Sequence, residues 1–510
     1  MQRRWCKLLY VGGGIGILIA AVAARAGYGA AELQPIAPEV RDLARQAVDR
    51  ERLIENWPFE DDAAVLARSD RKVILHYFPP FPLSLDNLSP ASDYYATQYL
   101  RPEGEHDKYR GVGGYIRERP LPVGPWPIPQ WRAVNFAIEV LRARALGADA
   151  FGVDLLQLKD GRYWASAIQL MDVAAAVSPE FGIVPEPDTD VLKNMTPADL
   201  REALTQIWNH KASYHLPDRR LLVAPFAAER RPAAFWQEAI ERMAKQNMPI
   251  ALLPILLDPQ RYAHEYAPLS IGLSRWGAHD PDADAQSSDA RLAAQVKGAG
   301  RKWMQPVIPQ DERPKAGVFR EANASMLFRQ QWSEARQRNS EYVHIISWND
   351  YSEATEVAPS TGVQYVFYDL SAYEIRWFKT GRPPRIRRDA IYYLHRTQIL
   401  DPSRVRDNGD ASMHLRGGTP LSNRIEMIAF LTRPAELEIE IAGQKTRVAA
   451  LAGLAIATAP AQVGRPLFRI LRAGKIAVEK ESDWQIHAEG NRVDPLYVGG
   501  STTRALVLPK

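Results

Sequence analysis

Cysteine is almost absent from this sequence of 510 residues, which contains a single copy, Cys6. Disulfide bonds, a thiol nucleophile and a cysteine-ligated metal are therefore excluded for the chain beyond that position. The ten histidines include no His-x-His or HExxH spacing, so we predict no metal site, and no cofactor is expected. The net charge is only +4 and the charges are interspersed, which excludes the clustered basic surface of a nucleic-acid-binding protein.

Aromatic residues are frequent, with thirteen Trp and twenty Tyr. Such rings can stack on the faces of sugars, although most of them pack in cores and interfaces. Apolar residues make up 46% and charged residues 24% of the chain, as in a globular protein with a substantial core. A chain of this length predicts two folded units. We expect it to be a monomer.

The N-terminal segment has the pattern of a secretory signal peptide. Arg3, Arg4 and Lys7 precede an apolar stretch at 8–24, and small residues follow it. The apolar stretch is short for a spanning helix, which needs roughly 20 residues. We therefore predict a signal peptide over 1–30 and a secreted or periplasmic protein without membrane contact after cleavage. An uncleaved anchor is the alternative.

Short apolar runs alternate with segments of helical period through most of the chain. The predicted strands are 72–78, 149–155, 181–184, 220–226, 249–257, 269–273, 302–308 and 342–347. Eight strands alternating with helices predict an α/β fold, a parallel (β/α)8 TIM barrel, over 31–400. The long first loop, 79–130, would then lie at the carboxyl-terminal face, where such barrels carry their sites.

The last hundred residues have a different pattern, in which apolar and polar residues alternate. This alternation predicts a small antiparallel β-sandwich over 413–510. The polar stretch 401–412 is the predicted linker.

The stretch HIISWNDYSEATEVAPS begins as the eighth strand and ends in carboxylates. Asp350 and Glu353 lie three residues apart, at the predicted mouth of the barrel. Two carboxyl groups there suit hydrolysis of an acetal, because one can stay protonated to donate to the leaving oxygen while the other activates water. A loop cluster that caps the next segment or holds a cation is the alternative.

Other strands also end in polar or aromatic residues. Asp149 lies at the start of the second strand, so it could instead be a turn residue at the barrel floor. The remaining candidates, which we expect to bind substrate, are His76, Tyr77, Asp154, Asp188, Trp276, Trp348, Asn349 and Tyr351.

Several of these stretches resemble glycoside hydrolase family 71, the α-1,3-glucanases or mutanases. SWNDYSEATEVAPS is similar to the WNDYGES-like signature of its eighth strand, GADAFGVD to its second strand, FGIVPEPD to its third and VILHYF to its first; RDAIYYLHR and the closing sandwich match its plan. The resemblance implies an inverting glycosidase in which Asp350, Glu353 and the strand-two acid Asp149 are essential. By analogy with the WNEW-x-E stretch of the related endo-α-mannosidases, Glu353 is the general acid and Asp350 the base.

The sequence departs from the family pattern at the rim. Asp154 replaces the strand-two Asn, and Ser352 replaces the Gly of WNDYGES. These departures concern the glycan more than the reaction, so the expected substrate is an α-linked glucan or a related bacterial exopolysaccharide. The alternatives are a retaining endo-α-mannosidase-like enzyme and a non-catalytic glycan-binding protein of exopolysaccharide export. The shorter Asp350 favours inversion, because it leaves more room for a water.

Overall fold

The computed structural model describes residues 35–61, 63–279, 281, 283–406, 412–488, 490 and 492–508. The predicted signal peptide lies outside the described residues, as do residues 407–411 of the predicted linker. Within the described ranges, no helix combines the length and the apolar character needed to cross a membrane.

Twenty strands occur in the described residues. They are β1 (Lys72–Tyr77), β2 (Ala150–Leu155), β3 (Gly182–Pro187), β4 (Leu221–Val223), β5 (Ile250–Leu252), β6 (Ile255–Leu256), β7 (Gly272–Arg275), β8 (Lys302–Val307), β9 (Asp311–Arg313), β10 (Val318–Arg320), β11 (Tyr342–Ile345), β12 (Ala390–Arg396), β13 (His414–Arg416), β14 (Arg424–Leu431), β15 (Ala435–Ile441), β16 (Gln444–Ala450), β17 (Gly453–Pro460), β18 (Leu467–Arg472), β19 (Lys475–Glu481) and β20 (Tyr497–Ser501).

Most helices lie between the strands of the first part of the chain. The α-helices are α1 (Pro38–Glu51), α2 (Leu53–Asn56), α3 (Ala63–Leu66), α4 (Trp131–Leu146), α5 (Arg162–Val177), α6 (Pro197–Trp208), α7 (Ala233–Ala244), α8 (Pro259–Tyr266), α9 (Ala283–Gly298), α10 (Met326–Gln337), α11 (Val366–Thr380) and α12 (Pro402–Val405). Single turns of π- or 3₁₀-helix occur at Tyr95–Tyr99, Glu105–Asp107, Ala228–Arg230, Ala267–Leu269 and Pro314–Ala316.

A curled parallel sheet organises the first part of the chain. Seven strands pair in the order β3-β2-β1-β11-β8-β7-β6, and β4 pairs with β5. Each of the eight predicted runs overlaps one or two of these strands, so the strand predictions are confirmed. Strands β1, β2 and β3 are buried on both faces, which explains why their sequences are continuous apolar runs.

The interior of this sheet has an apolar floor. Since side chains alternate along a strand, one residue from each of several strands points into the same interior layer. We call this layer the floor cluster; its buried members are Ile74, Ala150, Val184, Leu222, Ala224, Leu253, Ile255, Met304 and Tyr342. The polar residues described below lie on the carboxyl-terminal side of this cluster.

Two four-stranded antiparallel sheets follow. Their orders are β17-β14-β12-β20 and β16-β15-β18-β19. Strand β12, which precedes the boundary predicted at 400, is a central strand of the first of these sheets. Tyr392 and Leu394 of β12 pack in the main core, whereas Ile391 and Tyr393 pack in the core between the two sheets. Both faces of β12 are thus buried.

The first loop is long, as predicted, since β1 ends at Tyr77 and α4 begins at Trp131. Its aromatic side chains form a small core of their own, in which Phe81 and Tyr95 pack with Tyr351 from the loop after β11. The loop is therefore attached to the segment that carries the predicted dyad.

Candidate active site

The interior of the parallel sheet becomes polar one layer above the floor cluster. Residues two positions further along β1, β3 and β11 are His76, Glu186 and His344, and all three are buried. One further step towards the carboxyl ends lie Asp154 on β2 and Asp188 directly after β3, and both are also buried. The structure thus brings the predicted residues His76, Asp154 and Asp188 together at the carboxyl-terminal mouth.

Glu186 lies between two imidazoles. Its Oε2 accepts a hydrogen bond of 2.7 Å from Nδ1 of His76, and its Oε1 lies 3.2 Å from Nε2 of His344. Burial alone would raise the pKa of Glu186, but the neighbouring His344 and His76 outweigh it and lower the pKa to about 2. Glu186 is therefore a permanent anion inside the sheet.

Asp154 and Asp188 form an acidic patch beside this anion. Burial, and then the charges of Asp188 and Glu186, raise the pKa of Asp154 well above its usual range, and its Oδ1 has no hydrogen-bond partner in the described structure. Burial raises the pKa of Asp188 to about 6, although its Oδ1 accepts hydrogen bonds from the amides of Asp190 and Val191. This part of the mouth holds carboxyl groups that keep their protons easily.

The turn after β11 fixes Asp350. Its Oδ1 accepts hydrogen bonds from the amide and hydroxyl of Ser352 at 2.9 and 2.7 Å, and from the amide of Glu353 at 3.3 Å. Its own amide donates to the hydroxyl of Ser347 at 2.7 Å. Burial raises the pKa of Asp350, while the hydrogen bonds from Ser352 oppose that rise. The hydroxyl of Ser352 thus makes a contact that a glycine could not.

Glu353 is the more open of the two acids, with 18% of its side chain exposed. Its Oε1 lies 2.9 Å from Nη1 of Arg313. Burial raises the pKa of Glu353 to about 8, even though Arg313 acts in the opposite direction. At neutral pH the side chain is therefore mostly protonated, as a general acid must be.

Arg313 is held in turn by Asp311. The Arg313 Nε donates to Asp311 Oδ1 at 2.7 Å, and Asp311 Oδ2 lies 2.6 Å from Nη1 of Arg320 and 2.9 Å from Nδ1 of His279. Burial would raise the pKa of Asp311, but Arg313, His279 and Arg320 lower it well below its usual range. A fixed anion therefore positions the guanidinium that contacts Glu353.

An aromatic wall faces the same mouth. The ring of Trp276 lies 4.9 Å from that of His76 and 4.6 Å from that of Phe226, both edge-on. Trp276 is partly exposed, so it can meet a ligand. This is the position expected of a sugar-stacking residue.

Four predicted substrate-binding residues are buried in packing contacts, away from the mouth. Tyr77 donates to Glu139 Oε2 at 3.0 Å among the helices, and Trp348 packs between Phe151 and Tyr368. Tyr351 belongs to the core of the first loop.

Asn349, the fourth, has a positioning role. Its Oδ1 accepts from the amide of Phe78 at 2.7 Å, and its Nδ2 donates to the carbonyls of Phe78 and Phe81 at 3.0 and 2.9 Å. All four side chains are buried, so their predicted contact with substrate stays a prediction.

Asp149 lies at the opposite end of the sheet. It precedes β2, a strand of six residues and thus about 20 Å long, whereas Asp350 follows the carboxyl end of β11. Its Oδ2 accepts from the amide of Val73 at 2.7 Å and lies 2.7 Å from Nζ of the buried Lys379. The structure thus gives Asp149 a charge pair with Lys379 at the floor, and the catalytic role implied by the family resemblance stays a prediction.

Sequence reasoning missed Glu186, His344 and Arg313. A carboxylate inside the apolar run GIVPEP and a histidine inside YVHI were the available signals, since a buried polar group needs a partner. Arg313 gave no such signal, because it lies in the hairpin of β9 and β10, two strands that were not predicted.

The sequence also did not predict that Glu118 and Glu356 form a second buried pair. Burial raises the pKa of both, and the charge of Glu118 adds to the rise at Glu356. Glu118 Oε2 accepts hydrogen bonds from the hydroxyl of Ser360 and, at 3.0 Å, from the amide of Gly362. These contacts tie the first loop to the segment after the dyad.

Comparison with known proteins identifies a family. The family model of glycosyl hydrolase family 71 matches residues 128–493. The chain is 22% identical over 377 residues to glucan endo-1,3-α-glucosidase agn1 of Schizosaccharomyces pombe, a match that covers 69% of this chain and 85% of the relative. It is 23% identical over 375 residues to mutanase Pc12g07500 of Penicillium rubens, covering 68% of this chain and 80% of the relative.

Among solved structures, the chain is similar to the family 99 endo-α-mannosidase of Bacteroides thetaiotaomicron. That match has 14% sequence identity and a TM-score of 0.47, and it covers 61% of this chain and 98% of the mannosidase.

Proposed function

Because the chain belongs to glycosyl hydrolase family 71 and is a glycosidase, we propose that it hydrolyses an α-1,3-linked glucan or a related α-linked exopolysaccharide by inversion. Glu353 is the general acid, and Asp350 is the general base that activates water. The substrate proposal is supported by the names of the two relatives, a glucan endo-1,3-α-glucosidase and a mutanase.

The observation that carries the proposal is the position of Glu353 at the mouth of the sheet, next to Asp350 and Arg313. With a pKa raised to about 8, Glu353 keeps the proton that the glycosidic oxygen must receive. Burial raises the pKa of Asp350, but the three hydrogen bonds that one of its oxygens accepts oppose that rise and favour the charged form. Different environments thus give the two carboxyl groups different roles.

Inversion requires a water between Asp350 and the anomeric carbon. Inverting sites keep their carboxyl groups roughly 6.5–9.5 Å apart, and retaining sites about 5–5.5 Å apart. We propose the wider separation, because the short Asp350 side chain is held back on Ser352 while Glu353 turns towards Arg313. The α-linkage would then give a β-configured first product.

We also propose that the parallel strands close as a (β/α)8 barrel followed by a β-sandwich. Backbone hydrogen bonds between the β4–β5 pair and the seven-stranded sheet support closure: Ala224 N donates to Pro185 O at 3.0 Å, and Ile255 N donates to Pro225 O at 2.9 Å. A closed barrel would bring Trp276 and the dyad to one rim.

Export is part of the proposal, since a polysaccharide substrate lies outside the cell. The basic residues and the apolar stretch at 8–24 support it. Mass spectrometry of protein recovered from the medium or periplasm should show a start between residues 27 and 32. An intact N-terminus in the membrane fraction would contradict cleavage.

The decisive experiment is hydrolysis of a panel of α-glucans, with the first anomer identified by NMR. Release of β-configured sugar from α-1,3-glucan is expected, and α-configured sugar appearing first would refute inversion. Glu353→Gln and Asp350→Asn should each lower kcat by at least ~10²-fold. Glu265→Gln, on the exposed side of α8, is the matched control and should leave turnover unchanged.

A further inference from the structure

Three potential ligands for a metal ion converge above the floor cluster. His76, Glu186 and His344 come from β1, β3 and β11, and their donor atoms all lie within 4.8 Å of one another. All three side chains are buried, with His344 and Glu186 at 0% exposure and His76 at 4%. Such a group cannot be found from motif spacing, because it is assembled from three distant strands.

Hydrogen bonding leaves this group incomplete. Neither ring nitrogen of His344 has a hydrogen-bond partner in the described structure, and neither has Oε1 of Glu186. The two side chains approach to 3.2 Å but are misaligned as donor and acceptor. Since buried polar atoms nearly always have partners, these atoms are available to bind a ligand.

We propose that His76, Glu186 and His344 bind one divalent first-row transition-metal ion, such as Zn²⁺. Two imidazoles and one carboxylate are the ligands of open zinc sites, which keep a further position for water or substrate. Ca²⁺ and Mg²⁺ take oxygen ligands and do not suit this set. The open position would face Asp154, which pairs directly with Glu186 across β2 and β3.

The distances are close to those of a zinc site. Two ligands about 2.1 Å from Zn²⁺ at a tetrahedral angle lie about 3.4 Å apart. Nε2 of His344 lies 3.2 Å from Oε1 of Glu186, whereas Nδ1 of His76 lies 2.7 Å from the other oxygen, Oε2, and must move about 0.7 Å further from the carboxylate. Small side-chain rotations can provide that change.

Gly152 provides the space for the carboxylate. A Cβ atom at this position would lie 2.0 Å from Glu186 Oε1. Any larger residue would therefore displace the ligand, which gives a way to disturb the site without removing a donor.

The test is titration of the full chain, stripped with EDTA, with Zn²⁺ by isothermal calorimetry. The unmodified protein should bind one equivalent, and His344→Ala should weaken binding by at least ~100-fold. His264→Ala is the matched control, because the His264 side chain is 70% exposed and distant in the fold. Gly152→Ala should weaken binding, while Gly298→Ala, where an added Cβ meets nothing within 4 Å, should not.

A protein that binds no Zn²⁺, or an equal affinity in His344→Ala, would overturn the proposal and leave a plain His76–Glu186 hydrogen bond. If these variants do not fold, X-ray absorption of the zinc-loaded unmodified protein decides. Two imidazoles and a carboxylate around zinc support the site, and any other ligand set refutes it. No step uses a glycan, so the result is independent of the proposed hydrolysis.

Discussion

Replacing Arg313 with Met tests the assignment of Glu353 as the acid. The guanidinium of Arg313 lies 2.9 Å from Glu353 Oε1 and opposes the effect of burial on the pKa of Glu353. Without this positive charge, the neutral form of Glu353 is favoured further. The pKa of Glu353 should therefore rise above its value of about 8.

The size of the shift follows from the partial exposure of the pair. An opposite charge at this distance moves a carboxyl pKa by about 1–3 units. Because 27% of Arg313 and 18% of Glu353 are exposed, solvent screens the pair, and the lower value applies. One unit corresponds to about 1.4 kcal/mol.

The assay is the pH dependence of kcat/KM on a soluble α-glucan. Its alkaline limb reports the pKa of the acid in the free enzyme, so it should lie near pH 8 in the unmodified protein and about one unit higher in Arg313→Met. Arg313→Lys, which keeps the charge, should restore most of the profile. Arg242→Met, at an exposed pair on α7, is the control.

An alkaline limb that stays in place or moves to lower pH would refute the reasoning. The stability of the fold gives an independent check. The folded pKa of Glu353 exceeds its ordinary value of 4.5, so the folded protein retains a proton that the unfolded chain loses. The free energy of unfolding should therefore fall as pH rises from 4.5 to about 8, and in Arg313→Met the fall should extend further.

Three further substitutions separate structural from functional residues. Asp149→Asn removes the charge opposite buried Lys379 and should cost about 3 kcal/mol in chemical denaturation while kcat/KM stays within a factor of two or so; a large kinetic loss in a stable variant would return Asp149 to the site. Asn349→Ala removes three contacts to the first loop and should cost about 1–3 kcal/mol, measured by the same method; an unchanged midpoint would contradict the positioning role. Trp276→Ala should raise KM about tenfold, or about 1.4 kcal/mol, with kcat less affected; an unchanged KM would remove the aromatic wall from the substrate site.

The strands of the parallel sheet were predictable because strands that are buried on both faces, such as β1, β2 and β3, appear in the sequence as continuous apolar runs. The polar ends of these runs also predicted where His76, Asp154, Asp188 and the dyad would lie. In a barrel-like sheet, the residue that follows each strand lies at the same edge of the sheet. The residues at strand ends can therefore be assigned to a site from the sequence alone.

The direction of side chains within the turn after β11 was not predictable. Trp348, Asn349 and Tyr351 flank Asp350, yet the turn directs them into protein and directs Asp350 to the mouth. Side chains in a turn do not alternate regularly, so the sequence does not show which of them point into the protein. The convergence of Glu186 with His344 was equally hidden, because it depends on the pairing of β1 with β11 across the sheet.

Strand β12 has a consequence for how the protein unfolds. Its alternate side chains belong to two cores, so neither core can open without exposing residues of the other. The parallel sheet and the antiparallel sheets should consequently share a single calorimetric transition, with equal calorimetric and van't Hoff enthalpies. A fragment ending before Ala390 would lose Tyr392 and Leu394 from its own core, so we expect it not to fold on its own.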